Sequence, residues 1–370
     1  MIPVYKPFIG DTERAYVADA VDSTWISSKG EYLDRFEAEF PEYLGSRFGI
    51  ATCNGTVSLH LALAALGIGS GDEVIVPTLT YVASVNAIAY TGATPVFVDS
   101  EPEFWNLDPQ LIEPLITDRT KAIEVVHLYG HPVDMDPVMA LAQKHGLAVI
   151  EDAAEAHGAQ YRGRKVGSIG DVASFSFFGN KVVTTGEGGM VVTDDEELAN
   201  VCRHLRGQGV SPTRTYWHDV IGYNYRMTNI AAAIGVAQLE RIDDVIARKR
   251  HIAAMYHDRL GDVPGVTFQR EAEWADAVWW MVSVLVDPQV RDDLMLFLKQ
   301  NGVESRPFFY PAHVLPMYQN GLSYPVAERL GASGINLPSF PELTEAEIDR
   351  VCELVAKYMA DQGSACVSPS

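Results

Sequence analysis

The chain has 370 residues, a globular composition and a formal charge of −21. That length accommodates one large domain and one smaller one, with a core that needs no covalent staples. The charge argues against a nucleic-acid surface, which needs a basic footprint, but backbone N–H groups can still bind an anion locally.

No run is long and apolar enough to cross a bilayer, and Met1–Pro7 lacks a basic stretch leading into an apolar one. A cytoplasmic protein with no membrane partner is expected. Cys53, Cys202, Cys352 and Cys366 are far apart, without CxxC or zinc spacing. They read as free thiols, with no metal site.

In chain order, Thr56 to Leu66 reads as an apolar helix closed by Gly67 and Gly69. Glu73–Val76 is a short buried strand ending at Pro77, and Tyr81 to Tyr90 is a helix stopped near Gly92. Further strands are expected at Pro95–Asp99, Ala122–Val126, Leu147–Asp152 and Met190–Thr193, with a helix over Val138 to His145. Strands alternating with helices predict parallel strands with right-handed crossovers, hence an α/β sheet covered on both faces. Ile230 to Lys249 reads as one long helix leading into a smaller α+β domain. That domain has a strand at Trp279–Val286, a helix at Val290–Gln300 and a last helix from Thr344 to about Met359. Thr344 with Glu347 is a capping-box pattern for its start. The expected division is a large domain over 1–245, a small one over 246–360 and a disordered tail over 361–370.

Several residues on this frame carry chemistry. Asn54-Gly55-Thr56 opens a helix, where first-turn N–H groups and the Thr56 hydroxyl can hold a phosphate; an ordinary cap by Asn54 is the alternative. Tyr81 follows a strand and can stack on a planar ring, or simply fill core. Asp152 ends a buried strand. It can pair with a protonated pyridine nitrogen or cap a helix, with Glu155 as the other half of a capping box. Asp152 and Glu155 can also both face a cofactor, Glu155 near a ring hydroxyl. Ser176 offers a hydroxyl to a phosphate. Lys181 then sits in a largely uncharged stretch, Ser174 to Gly189, before a glycine-rich turn. Desolvation favours its neutral amine, which can attack an aldehyde to form a Schiff base. A structural lysine at a strand end is the alternative there, and a φ > 0 turn accounts equally for Gly186, Gly188 and Gly189. Gly222 to Asn229 carries donors suited to an anion, or is a solvated loop. In parallel sheets ligands sit at the carboxyl ends of strands, where Asp152 and Lys181 both fall. Phosphate loop, aromatic, carboxylate and lysine, in that order, fit a fold-type-I pyridoxal phosphate (PLP) enzyme.

Asn-Gly-Thr at 54–56, Glu-Asp-Ala-Ala-Glu-Ala at 151–156, Ser-Phe-Phe-Gly-Asn-Lys at 176–181, Thr-Thr-Gly-Glu-Gly-Gly at 184–189 and Gly-Tyr-Asn-Tyr-Arg-Met-Thr-Asn at 222–229 together resemble the DegT/DnrJ/StrS sugar aminotransferases. The resemblance spans nearly all of residues 1 to 360. It implies the fold-type-I architecture, a large mainly parallel sheet flanked by helices plus a smaller C-terminal α+β domain. Lys181 is then the Schiff-base lysine and Asp152 the partner of the pyridine nitrogen, with Glu155 near the ring hydroxyl and Tyr81 stacked on the ring. Gly55, Thr56 and Ser176 would hold the phosphate, helped by Asn224 and Arg226 of a neighbouring subunit in a homodimer with shared sites. Trp25, Ser27 and Ser28, with Arg306, Tyr310 and His313, become candidates around a nucleotide-sugar.

The implied activity is amino transfer from L-glutamate, through pyridoxamine phosphate, to the 4-keto carbon of a nucleotide-linked 4-keto-6-deoxyhexose. Stretches 24–30, 127–132, 206–209 and 216–222 are similar to the subgroup acting on GDP-4-keto-6-deoxymannose. A dTDP-linked or other keto sugar is the alternative. A pyridoxamine-dependent dehydratase is disfavoured because Lys181 stands where such enzymes carry histidine. A non-catalytic regulator is disfavoured by the intact lysine, carboxylate and phosphate loop.

Overall fold

A computed structural model describes residues 1–365. Two amphipathic helices open the chain, α1 (Asp11–Asp22) and α2 (Glu31–Leu44). Neither was expected, although Tyr32, Leu33, Phe36, Phe40 and Leu44 of α2 are buried at helical spacing. Then follow β1 (Phe48–Thr52), α3 (Gly55–Ala65), β2 (Glu73–Pro77), α4 (Val82–Thr91), β3 (Thr94–Val98), β4 (Thr120–Val126), α5 (Met135–His145) and β5 (Ala148–Asp152). A short hairpin, β6 (Gln160–Tyr161) and β7 (Arg164–Lys165), leads into β8 (Val172–Ser176), β9 (Gly189–Thr193) and α6 (Glu196–Arg206). The predicted elements of this half fall within a few residues of these bounds.

The seven-stranded sheet has the order β1-β9-β8-β5-β4-β2-β3. The pairs β3–β2, β2–β4, β4–β5 and β5–β8 are parallel, as the alternation requires. β9 departs from it, running antiparallel to both β8 and β1. The reason is local: β8 and β9 are joined by a loop rather than a crossover helix, and that loop holds Lys181.

The single long helix expected over 230–249 is two: α7 (Asn229–Leu239) and α8 (Ile242–Leu260). The second part of the chain adds β10 (Thr267–Phe268), β11 (Ala275–Asp276), β12 (Val282–Leu285), α9 (Arg291–Gln300), β13 (Arg306–Pro307), α10 (Pro325–Ser333), β14 (Gly334–Leu337) and α11 (Glu345–Ala365). β10, β12, β14 and β13 form a second, antiparallel sheet. The strand expected at 279–286 is shorter, covering only β12. α11 starts with the expected capping box: Glu347 N donates to Thr344 Oγ1 and Thr344 N donates to Glu347 Oε2. It runs on to Ala365, so the tail expected from Asp361 begins inside this helix; residues 366–370, Cys366 among them, lie outside the described residues.

Two buried apolar clusters result. One surrounds the seven-stranded sheet and the other fills the space between the second sheet, α8, α9 and α11. They meet at residues 277–280, where Ala277 and Trp279 face the second cluster and Val278 and Trp280 the first. Cys53, Cys202 and Cys352 are free thiols. Among the described residues no helix is long and apolar enough to cross a membrane.

Candidate active site

The carboxyl ends of β4, β5 and β8 open into a cavity of about 650 Å³. Its walls include Gly55, Thr56, Tyr81, Asp152, Glu155, Ser176, Lys181 and Arg306. Seven of these eight are among the nine cofactor residues expected from the sequence: Gly55 and Thr56 on α3, Asp152 on β5 and Ser176 on β8, with Tyr81, Glu155 and Lys181 on loops. The fold brings them to one place because parallel strands deliver their C-terminal residues to one edge.

Lys181 sits on the β8–β9 loop, its N–H closing a turn on Phe178 O at 2.9 Å. The loop doubles back beside β8, with Phe177 N donating to Gly188 O at 2.8 Å and Thr185 N to Phe177 O at 2.9 Å. Gly186 takes φ +84°, so glycine is required there by conformation, whereas Gly188 and Gly189 do not have positive φ and are fixed by close packing, where an added Cβ would meet Thr185 Oγ1 or Ser58 Oγ. The Lys181 amine is almost fully buried. It lies 3.7 Å from Glu155 Oε1 and 3.9 Å from the Trp280 ring centroid. Burial lowers its pKa, and the carboxylates of Glu155 and Asp152 oppose that shift.

Asp152 ends β5 and is not a helix cap, because no helix follows it. Its Oδ2 accepts from Ser84 Oγ at 2.8 Å and its Oδ1 from Ala154 N at 3.1 Å. Burial pushes its carboxyl upward, and those two donors pull it back. Glu155 makes no capping box either. Its Oε2 accepts from Tyr129 N at 2.8 Å, and burial raises its pKa to about 7 despite the Lys181 ammonium.

Asn54 caps α3, its Oδ1 accepting from Val57 N at 3.0 Å. The cap leaves the first turn of α3 facing the cavity, and Gly55 there packs so close that an added Cβ would lie 2.6 Å from Ser176 Cβ. Tyr81 is half-exposed at the mouth, its ring 5.5 Å from that of Phe309.

Of the remaining candidates, Arg306 alone reaches the cavity. Asn224 and Arg226 pair with each other on the surface, Arg226 Nη2 donating to Asn224 Oδ1 at 2.9 Å, and do not line the cavity. Trp25, Ser27 and Ser28 are near the start of α7, held by Asn229, whose Nδ2 donates to Trp25 O and whose N donates to Ser27 O. Arg306 lies at the cavity wall, while Tyr310 is exposed outside it. His313 is buried and its ring is engaged within the chain, Nδ1 with Thr78 Oγ1 at 2.7 Å and Nε2 with Glu328 Oε1 at 3.3 Å. The structure does not bring it to the cavity, because those partners hold its ring beside β2 and α10.

The donor set fits PLP. The cavity holds one buried amine, two buried carboxyls, the Ser176 and Thr56 hydroxyls beside a helix start, and an aromatic wall. Asn180 also lines it, its Oδ1 buried without a partner among the described residues.

Residues 7–356 match the DegT/DnrJ/EryC1/StrS aminotransferase family. The chain belongs to this family. It is 53% identical to GDP-perosamine synthase of Escherichia coli O157:H7 over 98% of this chain and 99% of that one. Among solved structures it is similar to DesV of S. venezuelae, with 40% identity, a TM-score of 0.89 and 94% of each chain covered. It is also similar to the PLP form of a sugar aminotransferase from Streptococcus pneumoniae, with 29% identity, a TM-score of 0.93, and 97% and 99% of the two chains covered.

As a DegT/DnrJ/EryC1/StrS member, the chain has site residues that sequence reasoning passed over. Ser84, Tyr129 and Trp280 contact Asp152, Glu155 and Lys181 in turn. Two of them carried a signal: Tyr129 lies in the 127–132 stretch noted for its resemblance, though no role was given to it, and Trp280 is a second tryptophan beside Trp279 on a segment read as a strand.

Proposed function

We propose that this chain is a PLP-dependent aminotransferase that moves an amino group from L-glutamate to the 4-keto carbon of GDP-4-keto-6-deoxymannose, giving GDP-perosamine. The observation that carries the chemistry is the buried Lys181 amine facing Asp152 and Glu155 across one cavity. The substrate rests on the likeness to GDP-perosamine synthase over nearly the whole chain. A homodimer accords with Asn224 and Arg226, phosphate candidates that lie outside their own chain's cavity. Cytoplasmic location accords with a sugar nucleotide as substrate.

Gly55, Thr56 and Ser176 would hold the cofactor phosphate, Tyr81 the ring face, and Asp152 and Glu155 the ring's polar edge. When bound, PLP supplies an aldehyde that takes up the amino group and a ring that accepts the electron pair left on carbon. Asp152 keeps a negative charge at its end of the cavity, with Ser84 fixing Oδ2. Lys181 Nζ, freed from its resting role, removes a proton from the donor carbon and returns one at the acceptor carbon, as base and then acid. Its depressed pKa suits both tasks. Glu155, poised at about 7, holds or releases a proton beside that amine.

The test is amine transfer from L-glutamate by PLP-loaded protein, offered GDP-4-keto-6-deoxymannose and dTDP-4-keto-6-deoxyglucose separately. Selective conversion of the GDP sugar is expected, and Lys181→Ala should abolish it. Preference for the dTDP sugar would overturn the substrate; undiminished turnover by Lys181→Ala would overturn the mechanism.

A further inference from the structure

The peptide carbonyls on either side of the Lys181 α-carbon are both held by aromatic donors from distant parts of the chain. Trp280 Nε1 donates to Asn180 O at 2.7 Å. Tyr5 OH donates to Lys181 O at 2.7 Å. The Trp280 indole face also carries the amine itself, Nζ being 3.9 Å from the ring centroid. One side chain therefore fixes the backbone before the lysine and seats the end of its side chain, while the other fixes the backbone after it.

We propose that Trp280 and Tyr5 form an aromatic clamp that positions Lys181, so that its amine is aimed before any cofactor arrives. A lysine side chain has four rotatable bonds, and fixing it costs entropy comparable to one or two hydrogen bonds. A clamp on the backbone and the ammonium removes that cost from the step in which the amine meets an aldehyde.

Trp280 is not free to serve mainly as a substrate wall. Its N–H is used within the chain, and its ring is stacked near Tyr129 at 12° between planes. Tyr129 N in turn donates to Glu155, the carboxyl nearest the lysine. Tyr5 is equally committed. It packs against both apolar clusters, and the segment around it is tied down by Val4 N on Glu304 Oε2 at 3.0 Å and by Ser339 N on Val4 O at 3.2 Å. The clamp therefore connects the amine to the junction between the two clusters. Its members are positioning residues, since neither is assigned a proton or a bond to substrate.

The inference rests on the aminotransferase reading only for what Lys181 does afterwards, and the test separates the two. Full-length apoprotein is prepared as native chain, Trp280→Phe, Tyr5→Phe and the double variant. Phenylalanine removes each donor; it keeps the ring of Tyr5 and leaves a smaller aromatic ring in place of the Trp280 indole, so Tyr5→Phe isolates the hydrogen bond while Trp280→Phe also weakens the seat of the amine. PLP is mixed in, and the visible band of its capture is followed by stopped flow. Separately, apoprotein is acylated briefly across a pH series and Lys181 modification is quantified by peptide mass spectrometry. Melting temperature is read for every variant.

Each single variant should slow capture about tenfold, the scale of one hydrogen bond, and the double variant should slow it further. Lys181 acylation should rise several-fold as the loop loosens. Capture and acylation within twofold of the native chain in all variants would overturn the clamp. So would a lower melting temperature with both rates unchanged, because that is the mark of a merely structural contact. Should native protein capture no PLP, the aminotransferase reading falls, and acylation alone still decides the clamp. If Trp280→Phe fails to fold, Tyr5→Phe decides it by the same limits.

Discussion

At Gly55 the start of α3 leans directly on the end of β8, with no room between them for a methyl group. Gly55→Ala should cost about 1–3 kcal/mol, the usual range for overpacking, and should lower affinity for PLP or inorganic phosphate. Urea unfolding and a phosphate titration would read the two effects. Residues such as Gly55, Asp152 and Lys181 were legible because each chemical type stood at a helix start, at a strand end, or, for Lys181, in an uncharged stretch before a glycine-rich turn. Ser84 and Tyr129 were not, since their roles come from contacts made across the sheet edge, 68 and 26 residues from Asp152 and Glu155. His313 shows the opposite failure. Its type suited a sugar ligand, but its ring is occupied by Thr78 and Glu328.

At the scale of elements, the strands were readable because they are short β-branched runs bounded by glycine, proline and aspartate. The reversed β9 was not, because β-strand patterning carries no sign of direction. The break between α7 and α8 was hidden as well: it falls at Glu240 and Arg241, without glycine or proline. α7 also anchors the first turn of α2 and the segment before it through one side chain. Asn229 Oδ1 accepts from Leu33 N at 3.0 Å and its Nδ2 donates to Trp25 O at 2.7 Å. Gly30, at φ +147°, packs against the same amide. Asn229→Ala should lose about 1–3 kcal/mol, the worth of one buried and one part-buried bond, and should speed proteolysis between Ser23 and Gly30. Limited digestion with a time course checks this, and an unchanged pattern would count against it.

For the whole molecule, the junction of the two clusters holds a second buried lysine. Lys249 Nζ donates to Ser339 O at 2.6 Å and lies 5.4 Å from the Tyr5 ring centroid. Burial lowers its pKa to about 7. Above that value the folded chain carries it neutral while the unfolded chain keeps it protonated up to about 10.4. The unfolded state then binds more protons, so stability rises with pH across that window. Below about pH 7 both states are protonated and the burial penalty is complete. Lys249→Met should flatten the rise by about 2 kcal/mol between pH 7 and 9, at 1.36 kcal/mol per unit. Paired urea titrations of native and variant protein at the two pH values measure it, and equal slopes would exclude Lys249 as the source. The environment of Lys181 has a history as well as a geometry. Its neighbours come from positions 5, 155 and 280, so during synthesis Tyr5 and Glu155 are already made when the lysine is added, and Trp280 alone comes later. Until Trp280 has left the ribosome, a nascent chain lacks the indole that seats the Lys181 amine and holds the Asn180 carbonyl. The setting of the amine is therefore completed only once position 280 of 370 has been made.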